Sequence, residues 1–472
     1  MASKPLIIRD EIHGDISFEP LVRAVIDHAS FQRLRYIKQL GLAEYVFPCA
    51  THTRFQHSMG AAYLARQYFE SVLETWLEWE FTAPAKVGGT EFLVKETRAC
   101  VEAVAGHAPS RAFWSHVATL SGLLHDVGHG PWSHTFEYLD LPQDFSSRTV
   151  LLVGAVRRYF DEKAKDGIKH EDVSVLYLHK ILSELQSSKI EETALEYFLP
   201  VAVLVNKRML KGELRMALEA ECETLLKTLG VKGGNQMLRL LAPLISGPFD
   251  VDRADYIQRD GHNCGVLMGG IEWRRIVRKV MPCLARHEND RGEPTDVVLV
   301  TNLKNQNVLD DFIFSLYQMY AQVYLHPKIV AFEDQVRREL DENLPKEGKP
   351  TIDFALHESL SDEAFRLWMG KALGANEIRK TLFRQPGYGF QVMGLPVGVG
   401  EQAGLPGQGF RCVETQDRPM LKDAAAVFLF SPAGASRDGA PVILPWKAAS
   451  AIANHFHSIN HTSEVWIRPD PV

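Results

Sequence analysis

His125 and Asp126 stand side by side in LSGLLHDVGHGPWSH, where they close an apolar run. An imidazole beside a carboxylate is a mixed nitrogen–oxygen ligand pair for a divalent cation. Two other segments can complete the set: TRFQHSMG with His57, and FDVDRADYIQRD with Asp252. Two histidines and two aspartates hold one cation and leave positions open for water and substrate. The chemistry this points to is metal-dependent hydrolysis of phosphate esters or anhydrides. The donor set suits Mn, Fe, Zn, Mg or Ni alike. Taken singly, each residue has an ordinary use: a hydrogen-bonded core histidine, a helix cap, or a salt-bridged polar face shared by Asp250, Asp252, Asp255 and Asp260. Asp250 reads as a helix N-cap rather than a ligand.

More histidines follow the pair. His129 and His134 lie three and eight residues after Asp126, across a Gly-Pro step that holds both near the cation. A phosphate leaving group needs a proton at neutral pH, and histidine is the side chain placed to give it. Glu137 falls on the side of His134 if a helix starts there, and can orient and charge a further candidate, His170 in KHEDVS. Arg54, three residues before His57, and Arg253, next to Asp252, offer guanidinium forks to phosphate oxygens. Tyr256 and Asp260 come one and two turns further on, suited to a sugar or a base.

The elements that must bring these residues together are mostly helices. In 55–76 the apolar positions 61, 64, 65, 68, 69 and 72 recur at helical spacing, and His57 shares their inward face. Residues 82–112 read as an insertion or long connection around a short helix. A helix over 112–127 stops at Gly128, so His125 and Asp126 meet one cation beyond its end. Further helices are expected over 172–186, 192–205 and 213–229, and from Asp250, where 252, 255, 256 and 259 form one stripe. Residues 296–303 read as a strand, and 305–342 as a long helix interrupted near Pro327. Beyond about 343 the chain changes character. A helix is expected around 361–383, a Gly- and Pro-rich loop over 386–409, strands at 425–430 and 441–444, and a helix around 446–459.

The 472 residues, 46 % apolar and 24 % charged, suffice for a large globular core. No apolar run approaches the roughly 18–20 residues of a membrane span, and MASKPLIIRDEIHGD turns charged too early for a secretory signal. Six cysteines are scattered without a C-x-x-C pair, which suggests reduced thiols and a cytoplasmic home. A net charge of −7 argues against broad nucleic-acid binding.

Together the strings IHGDISFEPLVRAVIDHASFQRLRYIKQLGLAEYVFPCATHTRFQHSMG, LLHDVGHGPWSHTFE, KHED and FDVDRADYIQRDGHNCGV resemble the HD-domain deoxynucleoside triphosphate triphosphohydrolases. They stand in that family's order and cover roughly 5–340; no SAM domain is recognisable. The resemblance implies a mainly α fold with an HD-type helical core over 1–342; it does not cover the C-terminal part, where the change of character is read as a smaller α+β appendage over 343–472. It implies that His57, His125, Asp126 and Asp252 are the metal ligands. His129 and His134 match histidines facing the triphosphate, and Glu137 with His170 an acid–histidine pair that assists the chemistry. Arg54 and Arg253 match phosphate contacts, and Gln39, Leu40, Tyr256, Asp260 and Tyr324 match residues around the sugar and base. Asp27, Gln32 and Arg35 match positions that bind an activating guanine nucleotide in vertebrate members. Leu316 and Tyr320 depart from the arginine and histidine those members carry near the substrate. The implied partners are a dNTP, an additional Mg carried with it, and copies of the chain in a dimer or tetramer. Two other readings stay open: another HD phosphohydrolase, acting on a nucleoside monophosphate or other phosphate ester, and a nucleotide-sensing or nucleic-acid-binding protein without turnover.

Overall fold

The computed structural model describes residues 5–472 except 79–85, 88, 140, 164–166, 211, 268–270, 288–295, 344–348, 350, 373–389, 396–410, 415–417, 420–426, 432–441, 451–459, 462–463 and 470–472. Among the described residues the chain is mainly helical with small sheets. It opens with an antiparallel hairpin, β1 (Leu6–Asp10) and β2 (Gly14–Phe18), followed by helix α1 (Pro20–Asp27). Helix α2 (Arg54–Glu78) is the spine of the core. It buries Leu64, Ala65, Tyr68, Phe69 and Val72 as the spacing predicts, and also faces that an amphipathic surface helix would leave wet.

After α2 come two short strands, β3 (Lys86–Val87) and β4 (Thr90–Phe92), then α3 (Val94–Ala105) and α4 (Ala108–Leu124). Where it is described, the stretch expected as an insertion or long connection around a short helix holds two short strands and helix α3, which pack on the core. Phe92 pairs with Ala285, and Cys100, Val101 and Val104 are buried. Helix α4 starts four residues earlier than expected because Pro109 sits in its first turn, where a missing N–H costs nothing. It lies so close to α2 that a Cβ on Gly122 would stand 2.7 Å from the Ala61 carbonyl oxygen. His125 is its C-cap, so the His-Asp pair lies in the exit turn.

Further core helices include α5 (His134–Tyr138), α6 (His170–Ser187), α7 (Phe198–Val205), α8 (Gly212–Thr228), α9 (Gly234–Ile245) and α10 (Val251–Cys264). Asp250 caps α10 by accepting from the Arg253 amide, and Gly265 ends it with a left-handed φ of 68°. Strands β5 (Met281–His287) and β6 (Asp296–Asn302) lead to α11 (Gln306–Met319), one turn of π-helix over Tyr320–Tyr324, and α12 (Pro327–Asn343).

Past 343 the described residues form the expected smaller α+β part, and it packs on the helical core. Helix α13 (Asp362–Ala372) packs Phe365 and Met369 into a second cluster with Leu42, Trp132, Phe136 and Phe332. Residues 390–395, expected as loop, form strand β7 (Phe390–Leu395); with β8 (Arg411–Glu414) and β11 (Glu464–Pro469) it makes a three-stranded sheet in the order β8-β11-β7. Strands β9 (Val427–Ser431) and β10 (Val442–Pro445) continue the first sheet in the order β10-β9-β6-β5-β4-β3, with β9 parallel to β6. Buried Val427 and Leu429 face a core that β6 alone would leave open. The expected helix around 446–459 is described only as Trp446–Ala449, and the 361–383 helix only to Ala372; their continuations over 451–459 and 373–383 lie outside the described residues, as do 386–389 and 396–409. No described helix is long and apolar enough to cross a membrane.

Candidate active site

Three helices deliver four donors to one point. His57 comes from the first turn of α2, His125 and Asp126 from the exit of α4, and Asp252 from the first turn of α10. His57 Nε2 lies 3.0 Å from Asp252 Oδ1 and 3.2 Å from His125 Nε2; Asp126 Oδ2 lies 3.5 Å from both imidazoles. All four donor atoms fall within 4.8 Å of one another. Ligands about 2.1 Å from a shared ion stand about 3.0–3.5 Å apart, so the spacing fits a divalent cation.

The surrounding hydrogen bonds turn the right atoms inward. Asp255 Oδ2 lies 2.8 Å from His57 Nδ1, and the Gly122 carbonyl 2.9 Å from His125 Nδ1. Each backing group accepts a hydrogen bond from Nδ1–H, which fixes the proton there and leaves the Nε2 lone pair facing the centre. Asp255 is itself pinned by His13 Nε2 at 2.6 Å and by a fork from Arg259, which also reaches Asp10 at 3.0 Å. Burial works against charge on His57, but Asp252 and Asp255 overcome it and push its pKa up to about 10. Burial likewise opposes ionisation of Asp252, yet hydrogen bonds from His125 and His57 hold it below the usual carboxylate range. Asp126 is buried too, and the Arg54 guanidinium bonded to it keeps it ionised. Such a centre attracts a cation strongly, and the cation displaces protons as it binds.

The second histidine group adjoins the first. His129, His134, Glu137 and His170 bring donor atoms within 4.8 Å. Glu137 Oε1 lies 2.6 Å from His170 Nδ1 and 3.4 Å from His134 Nδ1, and the His129 ring stacks on His170 at 3.9 Å between centroids. Burial lowers the pKa of His129 and of His134. Burial opposes the charge on His170 as well, but Glu137 outweighs it and raises that pKa. Neither ring nitrogen of buried His129 makes a hydrogen bond to a described residue, although Nε2 lies 3.4 Å from Asp126 Oδ1. A ligand with acceptor oxygens would satisfy it.

Both groups abut a cavity of about 750 Å³. Gln39, Leu40, Arg54, Arg253, Tyr256, Asp260 and Tyr324 all line it, as do Asp126, Asp252, His129, His134 and His170. Arg54 is already engaged by Asp126 and by Ser133 Oγ at 2.9 Å; Arg253 Nη1 donates to the Gly247 carbonyl at 2.7 Å. Asp260 accepts from the Tyr324 hydroxyl at 2.8 Å and is bonded to His52 Nε2 at 2.7 Å. Of the two departures, Tyr320 lines the cavity and Leu316 is buried in the core. Asp27, Gln32 and Arg35 do not line it. Asp27 pairs with Arg23 at 3.3 Å, and Arg35 donates to Gln32 at 2.7 Å and lies over the Phe55 ring. Sequence reading missed Asp255, Arg259, His13 and His52. Asp255 and Arg259 had a signal, the shared stripe with Asp252; the two histidines had none, since their partners lie more than 200 positions away.

No protein-family model matches the chain. It is 29 % identical over 286 residues to the deoxynucleoside triphosphate triphosphohydrolase SAMHD1 of Gallus gallus, a match covering 60 % of this chain and 38 % of that protein. With the Homo sapiens SAMHD1 it shares 28 % over 288 residues, 60 % of this chain and 37 % of that one. With the uncharacterized protein MJ1154 of Methanocaldococcus jannaschii it shares 25 % over 360 residues, 76 % and 54 % of the two chains. The match spans about two fifths of the length of the SAMHD1 relatives. A crystal structure of a hypothetical protein from Aquifex aeolicus superposes with a TM-score of 0.57 at 21 % identity, over 98 % of this chain and 96 % of that one, and so shares the fold. By sequence the chain is similar to deoxynucleoside triphosphate triphosphohydrolases and to uncharacterized prokaryotic proteins.

Proposed function

We propose that the protein is a metal-dependent phosphohydrolase that cleaves deoxynucleoside triphosphates to nucleoside and tripolyphosphate. The observation that carries this reading is the convergence of four metal-type donors within 4.8 Å beside a cavity of about 750 Å³ whose lining includes Arg54, Arg253 and three histidines. His57, His125, Asp126 and Asp252 would hold a divalent cation, which would supply Lewis acidity and acidify a water. Arg54 and Arg253 draw the phosphate chain in, and His129 offers a buried ring nitrogen to its oxygens. Water attacks the α-phosphorus and the bond to the 5′ oxygen breaks. His170, kept charged by Glu137, or His134 beside it gives the proton that the departing oxygen needs. Tyr256 and Asp260, with Gln39 and Leu40 beside them, take the deoxyribose, and Tyr324 the sugar or base; all five line the cavity. The proposal includes a nucleotide activator near Asp27, Gln32 and Arg35, a dimer or tetramer, and a cytoplasmic location.

Metal analysis followed by a screen of all nucleotides, singly and in pairs, tests it. In ¹⁸O water the label should enter tripolyphosphate and not the nucleoside. Asp126→Asn should lose both metal and turnover. Release of orthophosphate from a monophosphate, with tripolyphosphate absent, would instead select a different phosphohydrolase. Wild-type turnover in Asp126→Asn would remove the ligand assignment.

A further inference from the structure

We infer that Asp362, from the chain beyond 343, is a positioning residue that holds two cavity-lining loops in one register. The inference rests on the phosphohydrolase reading and extends it to a residue outside the helical core. Asp362 is the first residue of α13, but the hydroxyl of Ser361 caps that helix by accepting from the Ala364 amide at 3.1 Å. The Asp362 carboxylate is left to reach across the molecule. Its Oδ2 accepts from the Lys38 amide at 2.9 Å and its Oδ1 from the Trp132 amide at 2.8 Å, positions 324 and 230 residues away. The carboxylate is buried, so both bonds are made away from competing water.

The two amides belong to the loops that bear on the cavity. Gln39 and Leu40 directly follow Lys38, and His129 and His134 flank Trp132. Trp132 and Ser133 hold left-handed φ values of 57° and 55°, the only consecutive non-glycine pair of this kind among the described residues. That backbone is costly and persists only where its surroundings over-determine it. Asp362 supplies one restraint, and Ser133 another: its hydroxyl donates to the Lys38 carbonyl at 2.6 Å and accepts from Arg54 Nε at 2.9 Å. Phe365, one turn along α13, packs against Trp132 at 4.8 Å between centroids. The metal-type donors sit on α2, at the exit of α4 and on α10, whereas the carboxylate of Asp362 bonds to the Lys38 and Trp132 loops.

The test compares Asp362→Asn with Phe365→Leu in the full-length, metal-loaded protein. Asparagine keeps the shape but sets an NH2 against one of the two amides. Its kcat for the best dNTP should fall at least about tenfold, since displacements of about 1 Å at a reacting group cost up to 100-fold. Its KM should change by less than about threefold, with metal content unchanged. Phe365→Leu should lower the melting temperature and keep kcat per folded protein. Amide exchange should quicken over 36–41 and 128–134 in Asp362→Asn alone. If wild type turns over and Asp362→Asn keeps its kcat, the inference is overturned while the function stands. If no nucleotide is cleaved by wild type, the function fails, and exchange decides the brace: protection retained over both segments in Asp362→Asn overturns it, and protection lost supports it.

Discussion

His57 shows how much a single ligand depends on what stands behind it. Its ring can offer Nε2 to a cation only if Nδ1 carries the proton, and Asp255 at 2.8 Å enforces that. Asp255→Asn should therefore weaken metal binding by about 10–100-fold, measured by titration with Mn or Co; unchanged affinity would remove Asp255 from the centre. Glu137 plays a different part. Burial alone would discharge His170, and the 2.6 Å bond from Glu137 reverses that. A general acid works below its pKa, so the raised value extends activity toward alkaline pH. Glu137→Gln should pull the alkaline limb of the rate profile down by about one pH unit or more. A limb that stays in place would remove both Glu137-linked histidines, His170 and His134, as the proton donor.

At the scale of elements, the α2–α4 contact sets the geometry of the centre, because His57 rides on one helix and His125 on the exit of the other. Glycine at 122 lets their backbones approach. Replacing glycine by alanine in a helix ordinarily gains up to about 1 kcal/mol. Here the added methyl would meet the Ala61 carbonyl oxygen at 2.7 Å, and a backbone cannot step aside as a side chain can. Gly122→Ala should therefore destabilise the protein by about 1–3 kcal/mol net, read from the denaturant midpoint; a stabilised variant would show that the helices can part without cost. Helix α10 is held by its ends, Asp250 at the start and Gly265 at the finish, and in between it carries Asp252, Arg253, Tyr256 and Asp260 to the cavity.

Across the whole molecule, the boundary near 343 is not a cut between independent units. Strand β9 adds to β6 in parallel register, and the Trp446 indole and Ser450 hydroxyl both donate to buried Asp310 on α11, at 2.9 and 2.7 Å. A chain ending at 342 would expose the edge of β6 and strand Asp310 without these partners. Such a chain should be insoluble or lack near-ultraviolet circular dichroism. A soluble product with one cooperative unfolding transition would restore the appendage as a separate unit.

What the sequence determined was local. Donor types, their places at helix ends, the cap at Asp250 and the helical periods of 55–76 and 305–342 all follow from residues within a few turns of one another. Tertiary structure decided whatever depends on contacts between distant segments. His13 and His52 became partners of Asp255 and Asp260, β9 and β10 joined a sheet begun at residue 86, and Asp362 came to bridge two loops of the core. A lone polar residue carries no mark of the partner it will meet across 200 positions; only packing the helices brings the two within hydrogen-bond distance, and only then is burying either one affordable.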